Sequence, residues 1–464
     1  MRTKAASKLR VIIMTMAFLL LMAGCEMSGE TLSASVDKST DPSSAVQGEP
    51  IFTATPIETP EPTPDPTPEP TPRPEATLMA LGDNLMHMGI VSTGKQMDGS
   101  LNYDFLFEDL SDFIDKADIS VINQETIFGG NELGFSGYPY FNSPTEVGDA
   151  IIKAGFDVVL QATNHTLDQK QAGVEHCMNY WKEHPEILMI GLHDRYEDED
   201  GNPLEAKDRI PLLEVNGITF AMLNYTYGPN YEILPAYARG RMDVLCAWDQ
   251  NNGHIDFTSI NPQVLEEIAA ADEIADVVVV FPHWGAEYVT SPTKYQQKFA
   301  KAMTEAGADV IIGAHPHVTQ PVEWITSDNG NECLCYYSLG NYVSTQQDPI
   351  SMLENMAWVT FQMTDDGSVI IDRDRTGSIP LVMQYSSGPL RFKAIYLLEE
   401  YTQDIADKHG VRNWGHKNLY VTDLWDWTHE IMGDSVKTAY ELTGLRDPKA
   451  QDPLPATDNP SQGD

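Results

Sequence analysis

The chain has 464 residues, and its 29 Lys+Arg against 69 Asp+Glu give a formal net charge of -40, so a nucleic-acid backbone would be repelled at the encounter stage. With a leader and tail set aside, the remainder suits one large α/β domain or a domain with an added lobe. The 5 cysteines form no pair of CxxC motifs and no CxxC with a His pair, which argues against a disulfide framework and against a structural zinc site.

The N-terminus carries Arg2, Lys4, Lys8 and Arg10, an apolar run over residues 11–22, and the ending Met22-Ala23-Gly24-Cys25. The run is short for a bilayer span, and the layout is that of an export signal. A small-residue pair directly before a cysteine resembles a bacterial lipobox, in which the chain is cut ahead of Cys25 and its thiol is acylated. Residues 1–25 therefore read as a lipoprotein signal peptide, and lipidation at Cys25 would hold the protein on the extracellular face of the cell membrane. Residues 26–75 read as a disordered Thr/Pro-rich stalk. From Thr59 the sequence TPEPTPDPTPEPTPRP keeps the backbone near polyproline II, a semi-stiff spacer.

Beyond the stalk, short apolar runs end abruptly in polar residues. They cover 76–81, 119–122, 156–160, 187–190, 218–223, 277–281 and 310–312, with helical patterns such as 144–154 and 292–306 between them. Such a β-α-β alternation predicts buried strands covered by helices, with chemistry where strand ends meet loops. From Cys333 the pattern turns strand-like, over 335–338, 358–363, 368–372, 381–384 and 392–397, with Asp366-Gly367 as a hairpin turn. Residues 424–442 read as one amphipathic helix, and 447–464 as a disordered acidic tail. Histidines 176, 184, 193, 254, 409, 416 and 429 read as surface residues, since none has a partner at ligand spacing.

The strand-end residues are the informative set: Asp83 and His87, Asn123 and Glu125, Asn164, His165 and Asp168, His283 and Glu287, and His315 with His317. Each alone has a plain structural reading as a turn or a cap. Together they supply the carboxylates and imidazoles that a pair of divalent cations requires, carboxylate bridging and imidazole filling terminal positions.

In the order Gly82-Asp83, Asn123-Gln124-Glu125, Asn164 to Asp168, His283 to Tyr288, Gly313 to Gln320 and Ser338 to Asn341, with Tyr225 to Asn230 between, the chain resembles the CapA family of poly-γ-glutamate capsule biosynthesis proteins. That family is similar to metallophosphoesterases. The resemblance implies an α/β fold of the metallophosphoesterase-like kind, a four-layer α/β/β/α sandwich over residues 76–345, with the strands and helix of 346–446 completing the domain. It implies two divalent metal ions of Mn, Fe or Zn type. Asp83 and His317 would hold the first, with His87 as a further member, Glu125 would bridge, and Asn164, His283 and His315 would hold the second. His165 would be the general acid and Asp168 would orient it, while Asn123, Glu287, Tyr288 and Asn341 would surround the pocket. The sequence departs from the family pattern in having His87 four residues after Asp83, Gln124 in place of leucine, and Gly173 displaced by Gln169-Lys170-Gln171.

The implied activity is a metal-dependent hydrolase or transferase acting on an anionic γ-glutamyl polymer or related envelope polymer, in contact with a capsule-synthesis membrane complex. Amide and phosphoester chemistry both stay open, as does a non-catalytic accessory role in capsule assembly or anchoring.

Overall fold

The apolar run that opens the domain becomes strand β1 (Glu75–Asp83), followed by β2 (Ile119–Asn123), β3 (Val158–Leu160) and β4 (Leu188–Ile190). Next come β5 (Leu212–Val215), β6 (Ile218–Thr226), β7 (Cys246–Trp248), β8 (Ile255–Ile260), β9 (Val277–His283), β10 (Val310–Ile312), β11 (Val322–Thr326) and β12 (Glu332–Tyr336). The last are β13 (Leu353–Met363), β14 (Val369–Ile371), β15 (Gly377–Ser387) and β16 (Leu390–Leu397). This computed structural model describes residues 73–445, apart from 195–196, 198–200, 203 and 415–416. The expected signal peptide, Cys25, most of the stalk, His416 and the acidic tail lie outside the described residues.

Two large sheets result. The first runs β16-β15-β13-β1-β2-β3-β4, with β14 on β13, and the second runs β11-β12-β10-β9-β6-β5; β7 and β8 form a separate hairpin. Side-chain alternation divides each strand between two environments. Leu78 and Ala80 of β1, Val279 and Phe281 of β9, Leu334 and Tyr336 of β12, and Val359 and Phe361 of β13 pack together between the sheets. Phe220 and Phe361 meet edge-on there at 5.1 Å. The alternate residues, Met79, Leu81, Val278, Val280, Cys333, Cys335 and Trp358, face the helical side. Helices Glu146–Ala154 and Lys170–Lys182 bury Val147, Ile151, Val174, Cys177 and Trp181, and helices Pro262–Asp272 and Lys294–Ala306 bury Val264, Ile268, Phe299 and Met303 in that layer. The architecture is the four-layer α/β/β/α sandwich that the family resemblance implies.

Helix Lys294–Ala306 begins at a Thr293 capping box and stops at Gly307, whose φ of 116° suits glycine. Cys177, Cys246, Cys333 and Cys335 are buried and free. Among the described residues no helix is long and apolar enough to cross a membrane.

Two expectations need correction. Residues 424–442 do not form one helix: Val421–Met432 ends at Gly433, where φ is 56°, and a new capping box at Thr438 starts Ala439–Thr443. His409 is not a surface residue. It is buried, with Nε2 2.8 Å from the Met383 carbonyl oxygen and Nδ1 accepting the Val411 N–H at 2.9 Å. Both contacts are satisfied by the neutral ring protonated on Nε2, and burial pulls its pKa down to about 4 from 6.5. The unfolded chain therefore takes up this proton first as pH falls. The stability contributed by neutral His409 is complete above pH 6.5 and declines toward pH 4, a loss of about 2 kcal/mol by pH 5. Urea unfolding at pH 7 and pH 5 checks this, and His409→Gln is expected to flatten the difference.

Candidate metal centre

Parallel strands of both sheets end at one place, and their ends carry the polar residues. In the first sheet Asp83 closes β1 opposite Asn123 at the end of β2, Glu125 follows two residues on, and Asn164 and His165 lie just past β3. In the second, Thr226 of β6 pairs with His283 of β9, while His315, His317 and Asn341 follow β10 and β12. Ligands in α/β sheets collect at the carboxyl ends of strands for this reason. The strand ends are drawn close at Gly82, where a Cβ would collide with the Gly340 carbonyl oxygen, and the Asp83 N–H donates to that same oxygen at 2.9 Å.

Glu125 is at the centre. Its Oε1 lies 3.7 Å from His283 Nε2, 3.7 Å from His317 Nε2 and 4.0 Å from His165 Nε2. Both Glu125 oxygens are buried without a hydrogen-bond partner, as are Asn123 Oδ1 and His315 Nδ1. Buried carboxylate oxygens are almost never left unpaired. Ligand atoms sharing one ion at about 2.0–2.2 Å from it stand about 3–4 Å apart, so the spacing around Glu125 fits a cation. Two groups have ligand atoms converging within 4.8 Å and include this residue, Asp83 with Glu125 and His317, and Glu125 with His283 and His315; a third joins Glu287 to His315 and His317.

The remaining contacts hold these groups in place. Asn123 Nδ2 donates to Asp83 Oδ1 at 2.7 Å and lies 3.3 Å from His283 Nδ1. His283 Nε2 is 2.8 Å from Asn164 Oδ1. His317 Nδ1 is 3.0 Å from both Asp83 Oδ2 and Asn341 Oδ1. His315 and His317 have φ of 96° and 58°, left-handed backbone that non-glycine residues adopt at a cost and that recurs at functional sites. His165 Nδ1 bonds Asp168 Oδ2 at 2.7 Å, and the same oxygen accepts the Phe141 N–H at 2.7 Å.

Burial and close-set charges shift the groups of this cluster in opposite directions. Burial, then the neighbouring Asp83, lifts the Glu125 carboxyl well above its ordinary value. Burial alone would lower His317, but the Glu125 and Asp83 carboxylates outweigh it and raise the imidazole to about 9. His283 and His315 are pulled well down, first by burial and then by neighbouring imidazoles; neutral imidazole is the form that binds metal.

His87 does not join the converging groups. It is half-buried before helix Met88–Thr93, its Nδ1 accepts the Thr345 N–H at 3.2 Å, and burial with the nearby His317 and His165 holds it at about 4. Glu287 and Tyr288 stand exposed at the mouth. Asn230, which closes the Tyr225 to Asn230 segment but was given no site role, accepts from Asn164 Nδ2 at 3.2 Å through Oδ1; sequence reasoning passed over Gln346, which accepts from Asn341 at 2.9 Å, and Glu354, which accepts the Gly82 N–H at 2.8 Å. Glu354 left a signal as the one carboxylate within β13.

This geometry coincides with a family likeness. The profile of the bacterial capsule synthesis protein PGA_cap matches residues 77–346. The chain belongs to that family. Capsule biosynthesis protein CapA of Bacillus anthracis is 31% identical over 253 residues, 53% of either chain. PGA biosynthesis protein CapA of Bacillus subtilis (strain 168) is 33% identical over 195 residues, 41% of this chain and 43% of that one. The chain thus matches about half the length of these relatives or less. Among solved structures, NAD nucleotidase (NadN) of Haemophilus influenzae aligns with a TM-score of 0.37 and 12% identity over 77% of this chain and 67% of that chain. The PGA_cap match contains every residue of the converging groups.

Proposed function

We propose that this chain is a metal-dependent hydrolase or transferase acting on an envelope polymer in capsule synthesis, lipid-anchored through Cys25 outside the cell. The γ-glutamyl polymer that the CapA resemblance implies is the first substrate to try, and a capsule-synthesis membrane complex the first partner. The observation that carries the reading is the unpartnered buried Glu125 carboxylate facing three imidazoles.

Asp83 and His317 would hold one divalent ion, Asn164, His283 and His315 another, and Glu125 both. Such ions supply Lewis acidity toward an oxygen of the scissile group and lower the pKa of water. The protein's own part is then orientation and proton transfer. Asn123 and Asn341 fix the Asp83 and His317 side chains. Asp168, accepting from His165 Nδ1, keeps that ring turned so that its Nε2 faces the Glu125 side, where it would give a proton to a leaving group.

Elemental analysis of the purified protein beside Asp83→Ala and His317→Ala tests this. About two transition-metal ions per chain in the parent, falling below one in either variant, is the expected result. A folded parent that takes no metal after reloading would instead favour a non-catalytic role in capsule assembly.

A further inference from the structure

Strand β6 sends Phe220 and Met222 into the apolar space between the two sheets, and the next residue in that row is Asn224. Asn224 is buried, and a buried amide is costly unless its polar atoms are bonded. Its Oδ1 accepts the Gln161 N–H at 3.1 Å and the Ala162 N–H at 2.7 Å, just past β3 in the first sheet. Its Nδ2 donates to the Phe281 carbonyl at 2.8 Å, on β9 in the second. One side chain thus fastens the two sheets to each other through three bonds. Gly191, with φ of 88°, leaves room for it: a Cβ there would stand 2.2 Å from Asn224 Oδ1.

The strands so joined are those whose ends deliver Asn164 and His283. Ala162 comes two residues before Asn164, and Phe281 two before His283. Asn164 Oδ1 and His283 Nε2 face each other at 2.8 Å, but these are the atoms that would turn to an ion. The strands behind them must then be held by something else. The groups assigned to the first ion have ties of their own: the Asp83 N–H donates to the Gly340 carbonyl at 2.9 Å, and Asp83 and Asn341 each lie 3.0 Å from His317 Nδ1. All three bonds of Asn224 go to backbone groups and none to a ligand side chain.

We propose that Asn224 is a positioning residue for the second ion. By pinning the end of β3 against β9 from behind, it sets the distance between Asn164 and His283 and so decides how firmly that half of the centre is filled. Groups that hold metal ligands in place govern affinity by about 10–100-fold. The inference rests on the two-ion reading of the centre.

Titration of the metal-free full chain with Mn(II), followed by elemental analysis and electron paramagnetic resonance, tests it. Asn224→Leu removes all three bonds yet suits the row of Phe220 and Met222, so it is expected to fold; Asn224→Ala is the second variant. The parent should take about two ions and give the spectrum of a coupled pair. Each variant should bind the first ion as the parent does and the second about 10–100-fold more weakly, showing instead the hyperfine lines of an isolated Mn(II). Before metal is added, amide exchange at Ala162 should already be faster in both. Tyr336→Phe removes a different bond between the sheets, from the Tyr336 hydroxyl to the Gly377 carbonyl at 2.9 Å, and should keep both ions. Unchanged affinity for the second ion in a folded Asn224 variant, equal weakening of both ions, or the same loss in Tyr336→Phe overturns the proposal and leaves the metal centre standing. A parent that binds fewer than two ions overturns the two-ion reading, and this inference with it.

Discussion

His165→Asn is expected to keep the full metal complement and lose about 10²–10⁴-fold in turnover, the usual worth of a positioned general acid. Its ring belongs to none of the groups whose ligand atoms converge within 4.8 Å. Its Nδ1 is committed to Asp168 and its Nε2 points toward Glu125 from 4.0 Å. That places a proton beside the centre without a bond to an ion. The loss should be large for substrates with a poor leaving group and small for a nitrophenyl ester, whose leaving group needs no proton. Comparing the two substrates in parent and variant, with metal content measured on the same samples, checks this. An equal loss on both substrates, or a loss of metal, would remove His165 from the acid role.

Glu125→Gln is expected to move metal binding and stability in opposite directions. Both carboxylate oxygens are buried and unpartnered in the metal-free chain, and burial together with Asp83 holds the carboxyl's pKa well up. A carboxyl raised in this way binds its proton more tightly folded than unfolded, so the metal-free fold is favoured as pH falls toward the ordinary carboxylate range and disfavoured above it. A neutral amide removes that penalty. At neutral pH the metal-free variant should therefore be the more stable of the two. It should also lose more than about 100-fold in metal affinity, beyond what outer-shell changes cause. Chelator-treated thermal melts and metal titrations give the two numbers. A less stable metal-free variant, or unchanged affinity, would contradict the central role given to Glu125.

Much of this was legible because parallel strands buried on both faces read as unbroken apolar runs, and a polar residue that stops such a run stands at a strand end. Asp83, Asn123 and His283 are the last residues of β1, β2 and β9, so their meeting could be expected from the sequence. Contacts between distant segments left no comparable trace. Asn230 and Asn164 are 66 positions apart, Gln346 and Tyr288 58, and Glu354 and Gly82 272. His409 looked exposed because its neighbours in sequence are polar, while the carbonyl that buries it belongs to Met383 on β15. The final helix was read through Gly433 because periodicity continues past it, whereas the backbone turns there.

Strand β13 lies beyond residue 346, where the family likeness ends. Yet it runs antiparallel to β1 from Glu75 opposite Gln362 to Ala80 opposite Ala357, and returns Glu354 to the Gly82 N–H. A polypeptide cut at the border of the likeness would turn the strand that carries Asp83 into a bare edge, its outward N–H and C=O groups open to solvent or to a second chain. The stretch by which relatives are matched is therefore shorter than the stretch that folds. The C-terminal quarter of the molecule, silent in any comparison of ligands, holds the first of them in register.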